Sequence, residues 1–366
     1  MKLFIIAGEA SGDLHGSNLI KALVAQEPSV ECQAWGGDMM AEAGAELLKH
    51  YRELAFMGFI EVVLNLRTIL RNIATCKKQI LAYKPDALVL IDYPGFNLRM
   101  AKWAKKQGFP VIYYISPQIW AWHQSRVHDI KRDVDLMLVI LPFEQAFYNK
   151  YGFETTYVGH PLLDAIQSIK LDANNPIAPG KKIIALLPGS RTQEVKKILP
   201  KMLSVVAHFP DYQFVVAGAK NMEPGFFHPF LAEHPTVQLV QGQTYSLLKN
   251  AAAALVKSGT STLEAALFDV PQVVCYAGNP ISYRIARWVI QVKYISLVNL
   301  IADKPLVKEL IQQELNESNL VAALKEVLDP AKATALKAEY AEMRKLLGEG
   351  GASRRAAEAI LKNLVG

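Results

Sequence analysis

The apolar residues fall into short continuous runs separated by longer stretches with a helical repeat. Residues 2–7 (KLFIIA), 87–91 (ALVLI), 111–115, 136–140 and 155–158 read as buried strands, with another near 31–35. Between them, 14–26, 97–107, 126–132 and 142–151 carry helical spacing, as in Leu14, Leu19, Ile20, Leu23 and Val24. The pattern then restarts. Strands are predicted at 182–187, 213–217 and 237–240, in the run opening at Ala251, and at 272–275. Helices are predicted at 195–208, 245–251, from about 263, and in the closing stretches 320–328, 331–347 and 353–364. Continuous apolar strands alternating with helices predict an α/β fold of parallel sheets covered on both faces. Both halves open strand–glycine turn–helix, and the polar stretch 169–180, with Pro176, Pro179 and Gly180, separates them. The expectation is two Rossmann-like domains facing one cleft. Their bounds are 1–165 and 181–349, with a linker at 166–180.

Composition narrows the partners. A length of 366 residues suits two domains, and 51% apolar content supplies two large cores. A net charge of +6 fits acidic ligands or anionic membranes, and no Lys/Arg block or aromatic motif points to nucleic acid. Cys32, Cys76 and Cys275 are far apart and outside CxxC spacing, so they read as inert thiols of a reducing compartment. No signal sequence or membrane-length apolar run is evident, which predicts a cytoplasmic protein able to touch a membrane from that side.

Candidate chemistry lies at strand ends. The stretch AAAALVKSGTSTLEAAL (251–267) runs from an apolar strand through Ser258, Gly259, Thr260, Ser261 and Thr262 into a helix. A helix start there offers backbone N–H groups, a positive dipole end and hydroxyl donors to a phosphate, and an ordinary capped joint would look the same. Glu264, one turn further, suits ribose hydroxyls. Gly189, Ser190 and Arg191 follow the strand 182–187, where a guanidinium either grips a phosphate in a forked geometry or serves as a surface cation. Asp92 ends the strand 87–91, where it is a structural turn residue or a base, and Asn97 beyond Pro94 and Gly95 is placed to cap the next helix. Trp120 and Trp122 in the loop after 111–115 are expected to line a pocket or a domain interface. The Asp133-Val134-Asp135 sequence resembles a metal-binding D-x-D but precedes its strand, so no metal is expected there. His160 reads as a helix-start or hinge residue rather than a general base, and a buried Asn299 needs hydrogen-bond partners from backbone or ligand. In 55–81, apolar residues including Ile60, Val62, Val63, Leu66, Ile69 and Leu70 cover more than one helix face, edged by Arg67, Arg71, Lys77 and Lys78. That stretch is a core helix or a basic-edged patch for an anionic bilayer or acyl chains.

Together these segments resemble the lipid-A-disaccharide synthase family. The matches are GEASGD (8–13), AFMGFIEV (55–62), ID-x-P-x-FN (91–97), YYISPQIWAWHQSR (113–126), LPFE (141–144) and VGHPLLD (158–164). They continue with LLPGSR-x-x-EV (186–195), SGTSTLEAAL (258–267) and YISLVNLIAD (294–303), in one order through nearly the whole chain. The resemblance implies an inverting glycosyltransferase of GT-B architecture, with an N-terminal acceptor domain and a C-terminal donor domain. A C-terminal helix at about 350–366 would pack back on the first domain. The implied substrates are UDP-2,3-diacylglucosamine and 2,3-diacylglucosamine 1-phosphate (lipid X), with inner-membrane lipids as partners of 55–81, no cofactor, and a homodimer. It places the catalytic aspartate on Asp92 and an essential glutamate on Glu9, and donor-site residues on Arg191, Asn299 and Glu264. Many relatives carry a second aspartate where this chain has Gly95. The rival readings are another UDP-sugar GT-B enzyme, such as a UDP-GlcNAc 2-epimerase or a cell-wall glycosyltransferase, and a non-catalytic membrane-docked binding protein.

Overall fold

The computed structural model describes residues 1–54, 66–168, 180–220, 222–279, 283 and 292–365. The chain divides into two units, Met1–Gln167 with Gly348–Gly366, and Ser168–Leu347.

The first unit is built on a parallel sheet of β1 (Lys2–Ala7), β2 (Glu31–Gly36), β3 (Glu46–His50), β4 (Ala87–Ile91), β5 (Val111–Tyr114), β6 (Leu136–Val139) and β7 (Thr156–Tyr157). Their order is β3-β2-β1-β4-β5-β6-β7. The second sheet holds β8 (Lys182–Leu187), β9 (Tyr212–Gly218), β10 (Gln238–Gln241), β11 (Ala251–Lys257), β12 (Gln272–Tyr276) and β13 (Lys308–Ile311), in the order β10-β9-β8-β11-β12-β13. In both, the chain steps outward from its first strand, returns to that strand's other side and continues the opposite way. The loops above β1/β4 and above β8/β11 therefore diverge, and the crevice they leave is where doubly wound sheets bind ligands. Register makes the ends level: Ala7 pairs with Ile91, and Leu187 with Val256. The residues that follow emerge side by side.

Central strands are apolar on both faces because helices cover both. In β8, Ile184 and Leu186 enter one core while Ile183, Ala185 and Leu187 enter the other. All five residues of β4 are buried. The edge strands β3 and β13 escape the sequence reading. ELLKH and KELI mix charge into short, half-buried segments, which is how an exposed edge is protected from further pairing.

The last helix, Ala352–Val365, lies in the first unit and packs on the helix Ala10–Gln26. Asp164 caps it by accepting N–H bonds from Gly351, from Ala352 (3.3 Å) and from Ser353 (3.0 Å). Such a cap is worth about 0.5–2 kcal/mol. Arg355 adds a bond from Nε to the Val158 carbonyl at 2.8 Å.

Candidate active site

Above β4 the backbone passes through two consecutive left-handed residues, Asp92 (φ 45°) and Tyr93 (φ 48°). Neither is glycine, so each costs about 1–3 kcal/mol and must be held by its surroundings. The Asp92 carbonyl accepts bonds from Asn97 Nδ2 (2.8 Å) and the Tyr113 hydroxyl (2.6 Å). Its N–H donates to the Tyr114 carbonyl at 3.1 Å. The Tyr93 hydroxyl donates to the Leu54 carbonyl at 3.0 Å. The Tyr93 ring lies across Gly8, where a Cβ would come within 2.2 Å of Cδ1, so only glycine fits there.

The expected cap at Asn97 is corrected. The helix spans Pro94–Lys106 with Tyr93 at its N-cap, and Asn97 is fully buried within it. Proline supplies its own helical φ at the first position, so the helix starts earlier than Asn97. The Asn97 amide instead pins the end of β4, with a second bond to the Ile91 carbonyl at 3.1 Å.

Glu9 occupies the N-cap position of the helix Ala10–Gln26, directly after the β1 turn. Burial first and the Glu9 charge second raise the Asp92 carboxyl to about 6, against an opposing N–H bond from Tyr93. Asp13, the last residue of the same glycine-rich motif, has a structural task. Its carboxylate accepts N–H bonds from Gly37 (2.8 Å), Met39 (3.2 Å) and Met40 (3.1 Å) and fastens the turn after β2.

In the second unit, a concavity of about 680 Å³ lies above β8 and β11. Gly189, Ser190, Arg191, Ser258, Gly259, Thr260, Ser261 and Glu264 all line it. The helix runs Thr260–Leu267 and begins earlier than the sequence pattern indicated, because Gly259 at φ 150° turns the chain directly into it. Thr262 is turned inward, its hydroxyl donating to the Gly259 carbonyl at 2.8 Å. Ser258 donates to the Ile295 carbonyl at 2.8 Å, so its hydroxyl braces the turn. Glu264 accepts the Tyr245 hydroxyl at 3.0 Å, and burial raises its carboxyl above the usual range. Arg191 sits at the N-cap of the helix Thr192–Leu203 with its side chain 57% exposed, 3.6 Å from Glu194. That exposure leaves the guanidinium accessible to a ligand.

The structure does not bring Asn299 to this concavity. Asn299 is 1% exposed and lines another hollow of about 710 Å³. Its Nδ2 donates to the Val307 carbonyl and to Glu309, each at 2.9 Å, and its Oδ1 accepts the Val307 N–H at 2.9 Å. The side chain fastens the helix Leu297–Ala302 to β13.

Other expectations divide. Asp133 pairs with the Arg132 guanidinium, and Asp135 accepts the Val111 N–H and the Lys105 ammonium, so both carboxylates of the D-x-D are already engaged. Among the described residues no group of three or more His, Cys, Asp or Glu side chains is arranged to hold a metal. Trp120 is buried and donates to Glu144 at 3.2 Å, whereas Trp122 is 46% exposed beneath the Arg126 guanidinium. Glu144 is buried and also accepts the Ile140 and Leu141 N–H groups. His160 accepts the Leu162 N–H at 3.2 Å at the start of the helix Pro161–Ser168, and burial lowers it to about 3. Ile60, Val62 and Val63 lie outside the described residues, as does the side chain of Leu66. Ile69 is half-buried in the helix Leu66–Tyr83, and Leu70 is 56% exposed between exposed Arg67 and Arg71. Among the described residues no helix is long and apolar enough to cross a membrane.

The family model for lipid-A-disaccharide synthetase matches residues 3–363. The chain belongs to the lipid-A-disaccharide synthase family. Its activity is accordingly that of a lipid-A-disaccharide synthase, a glycosyltransferase of lipid A biosynthesis. The synthase of Geobacter sulfurreducens is 37% identical over 373 residues, covering 99% of this chain and 97% of the relative. That of Syntrophus aciditrophicus is 40% identical over 366 residues, covering 97% and 96%. Among solved structures, UDP-GlcNAc 2-epimerase from Neisseria meningitidis bound to UDP-GlcNAc superposes with a TM-score of 0.70 at 15% identity, over 99% of this chain and 100% of that one. The calicheamicin glycosyltransferase CalG4 superposes with a TM-score of 0.62 at 17% identity, over 100% and 98%. At such identity these likenesses show the GT-B fold alone, and the sequence relationship separates a synthase from an epimerase.

Proposed function

We propose that the chain transfers the sugar of UDP-2,3-diacylglucosamine to the 6-hydroxyl of 2,3-diacylglucosamine 1-phosphate (lipid X), with inversion. The products are the β(1→6)-linked disaccharide 1-phosphate and UDP. Asp92 takes the proton of the acceptor hydroxyl as that oxygen bonds the donor anomeric carbon and the bond to UDP breaks. Glu9 tunes Asp92 or orients the acceptor. The concavity above β8 and β11 holds UDP. Arg191 and the N-terminal amides of the helix Thr260–Leu267 meet the pyrophosphate, and Glu264 meets the ribose. The positive charge opposite the leaving group comes from these protein groups rather than from a metal ion.

The observation that carries this reading is Asp92 itself. It stands at the tip of a central strand, at the switch point of the sheet, in a strained turn, beside a second carboxylate and with its pKa raised to about 6. A base with that pKa is ionised near neutrality and still accepts a proton usefully. The acylated substrates reside in a bilayer. Leu70 with Arg67 and Arg71 favours docking at the cytoplasmic face of the inner membrane, since each exposed apolar side chain gains about 25 cal/mol per Å² buried.

The test is turnover of the two acylated substrates, followed by UDP release and mass spectrometry of the disaccharide. Asp92→Ala and Asp92→Asn should both lose turnover while still binding UDP. Wild-type turnover by both variants would remove Asp92 as the base.

A further inference from the structure

Beside Arg191 the donor concavity is lined by two lysines, Lys220 and Lys257, the latter the last residue of β11. The Lys257 side chain is 22% exposed, and its ammonium lies 2.9 Å from the Glu194 carboxylate. Two neighbours fix where that ammonium stands. A Cβ built on Gly259 would lie 3.8 Å from Lys257 Nζ, and one built on Gly189 would lie 3.6 Å from Lys257 Cδ. The lysine therefore spans the space between the two glycine turns, one after β8 and one after β11. The same Glu194 also faces Arg191 at 3.6 Å, so one carboxylate holds both cations toward one concavity. A Cβ on Gly189 would come within 2.7 Å of Glu194 Oε2, so glycine at this position leaves room for the pair.

We infer that Lys257 is a pyrophosphate-binding residue, delivered by Glu194 to the site between the Gly189 and Gly259 turns. The inference rests on the assignment of this concavity to UDP. The geometry favours a diphosphate over a neutral ligand. The ammonium and the guanidinium stand with the N-terminus of the helix Thr260–Leu267 around one space that Lys220 also lines. Glu194 gives the lysine a defined direction without a ligand. When a pyrophosphate enters, the three ammonium donors can be shared between that carboxylate and a phosphate oxygen, because a lysine donates up to three hydrogen bonds. As the bond to the sugar breaks, the charge that collects on UDP forms beside a cation already in place, which lowers the barrier for departure.

The experiment is calorimetric titration of the full chain with UDP and, separately, with uridine, for the parent, Lys257→Met, Lys257→Arg and Arg191→Ala. Methionine keeps the length and apolar stem while removing the charge, and thermal melting checks that each variant is folded. Loss of a charge-assisted bond to phosphate predicts about 10- to 100-fold weaker UDP binding in Lys257→Met. Uridine affinity should not change, UDP binding by Lys257→Arg should lie close to the parent's, and the dependence of UDP affinity on salt should flatten. Equal UDP binding by Lys257→Met and the parent, with Arg191→Ala impaired, overturns the role of Lys257 and leaves the donor site standing. A parallel fall for uridine and UDP also overturns it, since that pattern marks a collapsed pocket rather than a lost phosphate contact. Failure of the parent itself to bind UDP removes the donor assignment and this inference together.

Discussion

The turn after β4 and the turn after β11 occupy the same place in two sheets of the same topology, yet they carry opposite electrostatics. The first has no glycine at its bend. Asp92 and Tyr93 are forced into left-handed geometry, clamped by Asn97 and Tyr113, and a carboxylate ends beside Glu9 with its proton held more tightly than usual. The second is relaxed by Gly259, with Gly189 doing the same in the neighbouring turn above β8, and it gathers a guanidinium, an ammonium and a helix N-terminus. A doubly wound sheet decides where a site can form. The few residues beyond each strand decide whether that site moves a proton or holds an anion.

The widest test of this contrast is Asp92→Asn, which keeps the shape and removes the base. Turnover should fall by about 10²- to 10⁴-fold. Stability should move the other way. A carboxyl raised from 3.8 to about 6 in the folded chain disfavours folding while it is ionised, a cost relieved as pH falls through 6 toward 3.8. At pH 7 the asparagine variant should therefore be more stable by about 1–3 kcal/mol in denaturant titration. Equal or lower stability would show that Asp92 is not strained electrostatically.

Next in size is Arg191→Ala, which acts on the anion-holding turn. About 10²-fold should be lost from kcat/KM, with weaker UDP binding and an unchanged acid limb of the pH profile. A shifted limb would mean that the two turns are not chemically separate.

Asn299→Ala probes a residue that the structure places outside both turns. It strands the Val307 backbone groups and part of Glu309, so stability should drop by about 1–3 kcal/mol while UDP affinity holds. A tenfold loss of UDP affinity without loss of stability would return Asn299 to the donor site.

Smallest is Glu9→Gln. Activity needs Asp92 ionised, so kcat/KM should fall on the acid side near pH 6 in the parent. Removing the Glu9 charge should move that limb to lower pH. An unmoved limb would leave Glu9 with acceptor orientation as its remaining role.

Much of this arrangement is legible in the sequence. The strands 2–7, 87–91 and 182–187 coincide with β1, β4 and β8, because burial on both faces leaves unbroken apolar runs that need no partner to be recognised. Asp92, Arg191 and the 258–264 turn are visible for the same reason, each standing at the end of such a run or in the turn beyond it, whereas Glu9 is singled out only by the family resemblance. The edge strands β3 and β13 are hidden, since their charged, half-buried sequences depend on a neighbour already in place. Asn97 reads as a cap and is a clamp, and Asn299, whose partners the sequence leaves open between backbone and ligand, bonds Val307 and Glu309. Both are amides, whose meaning lies in what they face. Tyr113 opens a matched segment, yet nothing in the sequence shows that its hydroxyl ends at the Asp92 carbonyl.

What the sequence alone determines is the alternation of strand and helix and the chemistry placed at each strand end, because hydrophobic period and turn residues are local properties. What only the tertiary structure decides is which strand ends are neighbours, which carboxylate feels which, and which polar groups are already spent. Those follow from strand order and register, where residues such as Glu9 and Asp92, or Gly189 and Lys257, distant in the chain, come level across a sheet.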